Sequence, residues 1–269
     1  MKPYEKITGK VIVITGGTSG IGKLMVQHYR ASGNVVVNLA RSCNTEGDDI
    51  TCDVSNHDSV VNAFNIIKDK YGKVDILINN AGYGISGAVE MLDDEQVEKQ
   101  FAVNFMGVYR AIKYALPLMS SGGKIVNISS ACALFALPFR GMYCASKSAV
   151  NMLSYSLREE LRPYNISVTA ICPGDIKTEF TKNRVKNFAT NERYGERIRL
   201  ADEHISNREH KRMSPEYAVE KIEKVIAKKK YKPFYIIGNK YKFLYALKRI
   251  FPLSTILWGT GKMFSPKEK

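Results

Sequence analysis

Tyr143 and Lys147 are the two residues whose spacing first suggests chemistry. They are four positions apart, which would place both side chains on one face of a helix. A free tyrosine has a pKa of about 10, and a cation held beside it favours the tyrosinate and lowers that pKa. The pair could therefore exchange a proton with a substrate hydroxyl near neutral pH. The same spacing is common in helices as a solvated pair, so the prediction depends on the surrounding motifs.

A glycine-rich turn after the first apolar run of the chain is a second candidate site. It reads Thr15-Gly16-Gly17-Thr18-Ser19-Gly20-Ile21-Gly22. Glycines let the backbone turn tightly and approach a pyrophosphate, and the N–H groups that begin the next helix point toward such an anion. The spacing differs from the G-x-G-x-x-G of most dinucleotide-binding folds, and a glycine-rich turn without a ligand remains the alternative.

Several polar segments lie where other predicted strands end. They are Asn79-Asn80-Ala81-Gly82, Asn104 within Asn104-Phe105-Met106-Gly107, Ser129-Ser130 and Pro173-Gly174. Each segment alone is weak evidence. Because ligands of open parallel sheets bind at the carboxyl ends of the strands, the whole set in this order predicts one shared site.

The elements that must position these residues alternate between strand and helix. Apolar, β-branched runs predict strands at 10–14, 35–40, 74–78, 124–128, 167–171 and 234–237, with a short third strand ending near Cys52-Asp53. Helices are predicted at 21–32 and 57–71. This alternation indicates an α/β fold with a doubly wound parallel sheet, and no linker divides the chain, so residues 1–269 are expected to form one domain. Residues 178–213, hereafter the lid segment, lack a predicted strand and are a candidate substrate lid.

Composition excludes several classes of protein. The 269 residues are 45% hydrophobic, which argues against disorder. The sequence contains no run of 18 apolar residues, so no transmembrane helix is predicted. The N-terminus has no apolar signal region, and five scattered cysteines fit a reducing cytosol rather than a disulfide scaffold or a metal site. The net charge of +14 is divided unevenly, with +1 on residues 1–176 and +13 on residues 177–269. The basic excess contains no nucleic-acid-reading motif, so no nucleic-acid partner is expected.

Taken together, these residues resemble the short-chain dehydrogenase/reductase family over about residues 8–237. The resemblance implies a single Rossmann-type domain of about seven strands that transfers a hydride between a nicotinamide cofactor and a carbonyl or alcohol. The family's catalytic Asn, Ser, Tyr and Lys correspond to Asn104, Ser130, Tyr143 and Lys147. Ser130 lies 13 residues before Tyr143, the family's usual spacing, which favours it over Ser129. By resemblance, Lys147 would also bind the nicotinamide ribose, and Asn104 would anchor a water.

The residues after the second strand predict NADP(H) as the cofactor. The position that is usually acidic in NAD-dependent relatives is Ala40, and Arg41 and Ser42 follow it and could hold a 2′-phosphate. Asp53 and Val54 would contact adenine, although Asp53 could instead be a helix N-cap. The predicted cofactor-binding residues are Gly16, Thr18, Ser19, Gly20, Ile21, Gly22, Arg41, Ser42, Asp53, Val54, Asn80, Ala81, Gly82, Tyr143, Lys147, Pro173, Gly174, Ile176 and Thr178.

The substrate pocket is expected to be largely apolar. In the family, the segment between the catalytic Ser and Tyr lines the pocket, which here gives Cys132, Phe135, Phe139 and Met142, with Phe180 from the lid segment. Hydroxysteroids or bile acids, keto-lipids and 3-oxoacyl groups all fit such a pocket. A catalytically weak NADP(H)-binding regulatory protein is the alternative, but relatives of that kind typically lose Tyr or Lys, and both are present.

Residues 240–265, hereafter the tail, combine basic and apolar positions. Residues 240–251 predict a basic amphipathic helix that ends at Pro252, and the apolar stretch after it contains Trp258, the only tryptophan. Similar tails occur in relatives that act on lipids and steroids. We favour a tail that packs on its own domain or on another subunit of a homodimer or homotetramer. It could instead make a peripheral membrane contact of a cytoplasmic protein, or cover the pocket with its Lys and Arg heads facing an anionic substrate group.

Overall fold

A seven-stranded parallel sheet forms the centre of the computed structural model, which describes residues 6–43, 47–206 and 212–264. The strands are β1 (Val11–Thr15), β2 (Val35–Ala40), β3 (Asp49–Thr51), β4 (Ile76–Asn79), β5 (Ile85–Ser86), β6 (Lys124–Ile128), β7 (Ser167–Pro173), β8 (Val185–Lys186) and β9 (Phe234–Ile237). The large sheet has the order β3-β2-β1-β4-β6-β7-β9. Its central strands are buried β-branched runs, as expected for strands covered on both faces.

Helices cover both faces of this sheet. They are α1 (Gly20–Ala31), α2 (His57–Tyr71), α3 (Asp94–Phe101), α4 (Gly107–Ala115), α5 (Gly141–Leu161), α6 (Glu179–Lys182), α7 (Arg197–Ser206), α8 (Pro215–Ile226), α9 (Asn239–Lys248) and α10 (Leu253–Phe264). One core contains Phe64, Ile112 and Val150 from α2, α4 and α5, and the opposite core contains Met25 and Ile222 from α1 and α8. The predicted doubly wound α/β fold is confirmed.

The strand order reverses between β1 and β4, and this is where open α/β sheets bind ligands. Side chains join the ends of these two strands. Thr15 Oγ1 accepts hydrogen bonds from the backbone N–H groups of Asn80 and Ala81, both at 3.0 Å. In return, Asn80 Nδ2 donates to the carbonyls of Thr15 and Gly16 at 3.0 and 2.9 Å. The glycine-rich turn and the Asn79–Gly82 segment are thus held against each other.

The expectation that the lid segment lacks a strand is wrong. It contains α6, α7 and the two-residue strand β8, which pairs in parallel with β5. The backbone N–H groups of Val185 and Asn187 donate to the carbonyls of Gly84 and Ser86 at 3.0 and 2.8 Å. Two residues leave no hydrophobic period in a sequence, which explains why this pairing was not predicted. Residues 207–211 of the lid segment lie outside the described residues.

The tail forms two helices, one on each side of Pro252. α9 ends at Lys248, before Pro252, and the apolar residues after the proline form α10. Residue 265, the last of the tail, lies outside the described ranges. Among the described helices, none is both long and apolar enough to cross a bilayer.

Candidate active site

One cavity of about 540 Å³ opens at the carboxyl edge of the sheet, within the usual size range of ligand pockets. Every residue predicted to bind the cofactor lines it, from Gly16 to Thr178. So do three of the four predicted catalytic residues, Ser130, Tyr143 and Lys147. Asn104 lies behind this wall and is fully buried. The strand ends therefore bring the separate motifs of the sequence to one place.

The glycine-rich turn has the close packing that a nucleotide cradle requires. A Cβ atom on Gly22 would be 2.3 Å from the Gly16 carbonyl oxygen and 2.4 Å from Asn80 Nδ2. Gly16 has a φ of +70°, and a Cβ there would be 2.9 Å from the Ala81 backbone. At the start of α1, the Ser19 side chain makes no capping hydrogen bond and the first turn contains no acidic residue. The backbone N–H groups at the start of α1 are therefore suited to a pyrophosphate, and the glycine-rich turn fits a dinucleotide.

The residues after β2 fit the phosphorylated form of the cofactor. β2 ends at Ala40, so no carboxylate occupies that position, and Arg41 and Ser42 are exposed at the cavity edge. Asp53 also lines the cavity, where its Oδ1 accepts from the Ser55 backbone N–H at 2.9 Å. The alternative that Asp53 caps a helix is wrong, because Asn56 is the N-cap of α2.

Asn104 is fixed by three hydrogen bonds. It lies in a π-helical turn, Ala102–Met106, between α3 and α4. Its Oδ1 accepts from the Tyr83 backbone N–H at 3.0 Å, and its Nδ2 donates to the Tyr83 carbonyl at 2.9 Å and to Ser146 Oγ at 3.1 Å. A Cβ on Gly82 would be 3.0 Å from Asn104 Oδ1 and 3.4 Å from Lys147 Nζ, so the amide and the ammonium face the same point.

Lys147 is a buried cation. Its Nζ donates to the Ile128 carbonyl oxygen at 2.9 Å, and its side chain is almost completely shielded from solvent. Burial lowers the pKa of Lys147 to about 8. Lys147 therefore titrates close to neutral pH, which is typical of groups that move protons.

Tyr143 departs from the sequence-based expectation. The helix α5 brings its phenol into the cavity, but burial raises its pKa instead of the predicted decrease. The Ser130 hydroxyl and the charges of Arg184 and Arg140 act in the opposite direction and are too weak to reverse the effect. The physical reason is that the neutral phenol tolerates the loss of water much better than the tyrosinate.

The predicted substrate residues divide into two groups. Cys132, Phe135 and Phe180 line the cavity, and the Phe180 ring lies 5.9 Å from the Tyr143 ring. Phe139 and Met142 are not among the described lining residues. Phe139 has a φ of +59° and packs edge-on against Tyr194 instead. Met142 directly precedes Tyr143 on α5, so a rotation of about 100° turns it to another face of the helix.

Other lining residues were not predicted from the sequence. They are mainly Lys99, Arg140, Asn183, Arg184, Val185, Tyr241, Leu244, Thr260 and Phe264. The last four show that the tail forms part of the cavity wall. The Tyr241 ring packs so closely on Gly174 that a Cβ there would be 2.2 Å from the ring.

No cation of the described part of the tail is among the residues that line the cavity, contrary to one expectation. Lys248 Nζ donates to the Leu134 carbonyl at 2.5 Å, and Lys262 Nζ lies 4.1 Å from the centre of the Trp258 ring. Lys240 Nζ lies 5.6 Å from the Tyr241 ring centre. The cationic wall of the cavity is supplied by residues outside the tail.

Comparison with known proteins was consistent with this site. A family model described as short chain dehydrogenase matches residues 10–188. A 3-ketodihydrosphingosine reductase of Bacteroides thetaiotaomicron is 37% identical over 227 residues, covering 82% of this chain and 84% of that protein. A 3beta-hydroxysteroid dehydrogenase of Mediterraneibacter gnavus is 33% identical over 196 residues, covering 67% of this chain and 71% of that protein. The fold matches a short-chain dehydrogenase structure from Streptomyces avermitilis with a TM-score of 0.78 and 24% identity. The match covers 91% of this chain and 94% of that chain.

Burial of Lys147 predicts a stability effect with a defined pH window. Between pH 8 and about 10.5, the folded protein binds fewer protons at Lys147 than the unfolded chain, so the free energy of unfolding rises with pH there. Below pH 8 Lys147 is charged in the folded protein, so its burial lowers the free energy of unfolding by the full amount. Lys147→Met should therefore increase the free energy of unfolding at pH 7 by roughly 1–3 kcal/mol, and this gain should shrink by pH 10. Urea unfolding without added nucleotide measures it.

A matched control for this experiment is Lys68→Met, at an exposed position of α2, which should change stability by less than about 0.5 kcal/mol. A Lys147→Met protein that is less stable than the wild type at pH 7 would show that the contact with Ile128 outweighs the cost of burial.

Proposed function

The chain belongs to the short-chain dehydrogenase/reductase family, and on that premise we propose that it is an NADP(H)-dependent oxidoreductase acting on a carbonyl or secondary alcohol of a hydrophobic substrate. One observation carries the proposal. Ser130, Tyr143 and Lys147 face a single cavity, with the glycine-rich turn on one side and apolar residues on the other. A nicotinamide held there would supply or accept the hydride.

The protein's own residues handle the proton. The raised pKa of Tyr143 keeps its hydroxyl protonated, so it can donate that proton to the oxygen of a reduced carbonyl. Ser130 Oγ accepts from the Cys132 backbone N–H at 3.1 Å, and its hydroxyl is within hydrogen-bond reach of Tyr143. We propose that this hydroxyl donates to the same substrate oxygen once a substrate is bound. We propose that Lys147, with its pKa near 8, returns a proton to Tyr143. Asn104 acts as a positioning residue at the backbone of Tyr83.

The choice of NADP(H) over NAD(H) is supported by Arg41. A guanidinium binds a phosphate in a bidentate manner, whereas the 2′-hydroxyl of NAD would need a carboxylate at the place of Ala40. The two residues together favour the phosphorylated cofactor.

The apolar side of the cavity and the two relatives suggest the substrate class. Phe135, Phe180, Leu244 and Phe264 supply apolar surface to the cavity that Tyr143 lines, and Phe180 packs against the Tyr143 ring. The relatives are named for a keto-lipid and a hydroxysteroid, so we propose a hydroxysteroid or bile acid, a keto-lipid or a 3-oxoacyl compound. The alternative, a catalytically weak NADP(H)-binding regulatory protein, is disfavoured because Tyr143 and Lys147 are both present.

We also propose that the outer surface of the tail contacts an anionic lipid surface. Phe243, Ile250, Leu253 and Trp258 are 60% or more exposed, although the opposite side of the same two helices lines the cavity. The tail carries lysines and an arginine and no acidic residue. Aromatic and apolar side chains beside lysines are typical of helices that lie in a membrane interface. A cytoplasmic location and a homodimer or homotetramer stay predictions.

Replacing Tyr143 with Phe tests the activity directly. Turnover of the best ketone in a panel of steroids, keto-lipids and 3-oxoacyl compounds should fall by roughly 100-fold or more, because the proton donor is lost. The dissociation constant for NADPH should change little. The absorbance of NADPH measures turnover, and a binding titration measures the dissociation constant. Tyr164→Phe, at an exposed tyrosine, is the control, and equal kcat in both variants would refute the role of Tyr143.

Replacing Arg41 with Ala tests the cofactor preference. Only NADPH carries the 2′-phosphate, so its dissociation constant should rise about ten- to hundredfold while that of NADH stays nearly constant. Arg162→Ala, an exposed arginine on another surface, should leave both constants unchanged. A wild-type protein that prefers NADH, or equal weakening of both cofactors, would contradict the assignment.

Trp258 offers a direct test of the lipid contact. Its fluorescence should shift to the blue with vesicles containing an anionic lipid and much less with neutral vesicles. Phe243→Ser with Ile250→Ser should weaken that response, whereas Met152→Ser, at another exposed apolar position, should not. A shift that follows protein concentration in the absence of vesicles would identify a subunit interface and overturn the lipid proposal.

A further inference from the structure

Two arginines bring guanidinium groups to the cavity wall beside Tyr143. Arg140 directly precedes α5 and is 7% exposed, and Arg184 lies between α6 and β8 in the lid segment. A Cβ atom on Gly84 would be 3.5 Å from Arg184 Nε and 3.5 Å from Tyr143 Cδ2. The Arg184 side chain therefore lies close to the phenol ring that we place at the reacting end of the substrate.

Neither guanidinium is balanced by a carboxylate of the described residues. Arg140 Nη2 and Arg184 Nη1 are buried and have no hydrogen-bond partner in this part of the chain. The Asp202 carboxylate, which acts on Arg184 electrostatically, is bound by Lys186 Nζ at 2.8 Å. Asp175 in the cavity accepts the Tyr241 hydroxyl at 2.5 Å. Buried charges in folded proteins are ordinarily paired, so these two are an exception that points to a ligand.

The two positive charges also act on each other. Burial, and after it the charge of Arg140, lowers the pKa of Arg184 to about 10. Cys132 faces the same groups, and a hydrogen bond with Cys144, together with the Arg140 charge, holds the pKa of its thiol below the usual range. Lys147 is a third cation in this wall, whereas the Asp175 carboxylate and one Cys132 thiolate supply at most two negative charges. The wall beside Tyr143 thus carries net positive charge where little water screens it.

We propose that Arg140 and Arg184 form a subsite for an anionic oxo-acid group of the substrate, a carboxylate or a phosphate ester. This inference rests on the proposed function, because Tyr143 marks where the carbonyl or alcohol reacts. Guanidinium groups present parallel N–H donors that match the oxygens of such groups. The apolar side chains of Phe135, Phe180 and Leu244 complete the pocket. The substrate is then a hydrophobic keto or hydroxy acid, or its phosphate counterpart, with the anion close to the reacting carbon.

Equilibrium binding of three ligands with the same chain tests this subsite. Decanoate, decyl phosphate and decanol are titrated into the protein with NADPH present at saturation, so that the cofactor occupies its own phosphate sites. At least one of the two anions should bind about ten- to hundredfold more tightly than the alcohol. The preferred anion distinguishes a carboxylate substrate from a phosphate ester.

Variants assign that preference to the two arginines. Arg140→Gln and Arg184→Gln should each remove most of the preference for the anion, whereas Arg197→Gln, an exposed arginine of α7, should leave it intact. The NADPH dissociation constant shows that each variant is folded and should stay unchanged. Two separate variants protect the test against one that fails to fold.

Three results would overturn the subsite. In the first, wild-type protein binds the anions no more tightly than the alcohol, or binds none of them at millimolar concentration. In the second, the glutamine variants keep the preference. In the third, the glutamine variants bind NADPH as weakly as they bind the anions, relative to the wild type, which would assign the arginines to cofactor binding. Because binding is read without turnover, a protein that binds the anions but reduces no ketone would contradict the proposed function and leave the subsite standing.

Discussion

The structure depends on the hydrogen bonds that join the ends of β1 and β4. Thr15 and Asn80 hold two neighbouring strand ends together at the point where the chain leaves the sheet in opposite directions. These bonds bring the glycine-rich turn to within van der Waals distance of the Asn79–Gly82 segment, so only glycine fits at Gly16 and Gly22. The start of α1 and the part of the cavity that it borders follow from that close approach.

Placing the reacting groups at this edge removes them from water, with a cost in stability. Lys147, Tyr143 and Arg184 are each held in surroundings that disfavour their charged forms. The same low polarity strengthens any interaction with a charge on a bound ligand. The protein therefore keeps a region that is poorly stabilised by its own side chains and is completed by what it binds, as is common at functional sites.

The sequence predicted the parts of the fold and site that depend on local pattern. Buried β-branched runs marked the large sheet, and the motifs at strand ends converged because parallel strands share one edge. The directions of side chains that precede or begin a helix were harder to predict, so Phe139 and Met142 were placed in the pocket and Arg140 was missed. The pairing of β5 with β8 and the packing of Tyr241 on Gly174 depend on residues far apart in the chain, and no periodicity reveals them. The pKa of Tyr143 depends on burial, which spacing does not give.

The pairing of β5 with β8 has a mechanical consequence for ligand exchange. It attaches the lid segment to the body, seven residues after the segment begins, through the backbone of Gly84 and Ser86. A segment that is attached at such an internal point does not swing away as a single flap. It divides into two arms, a short one containing α6 and a longer one containing α7, and each can open by local unfolding while the joint holds. If the lid segment covers the bound ligands, opening of one arm would release one ligand without the other, and the slower arm would set the turnover rate when release is limiting.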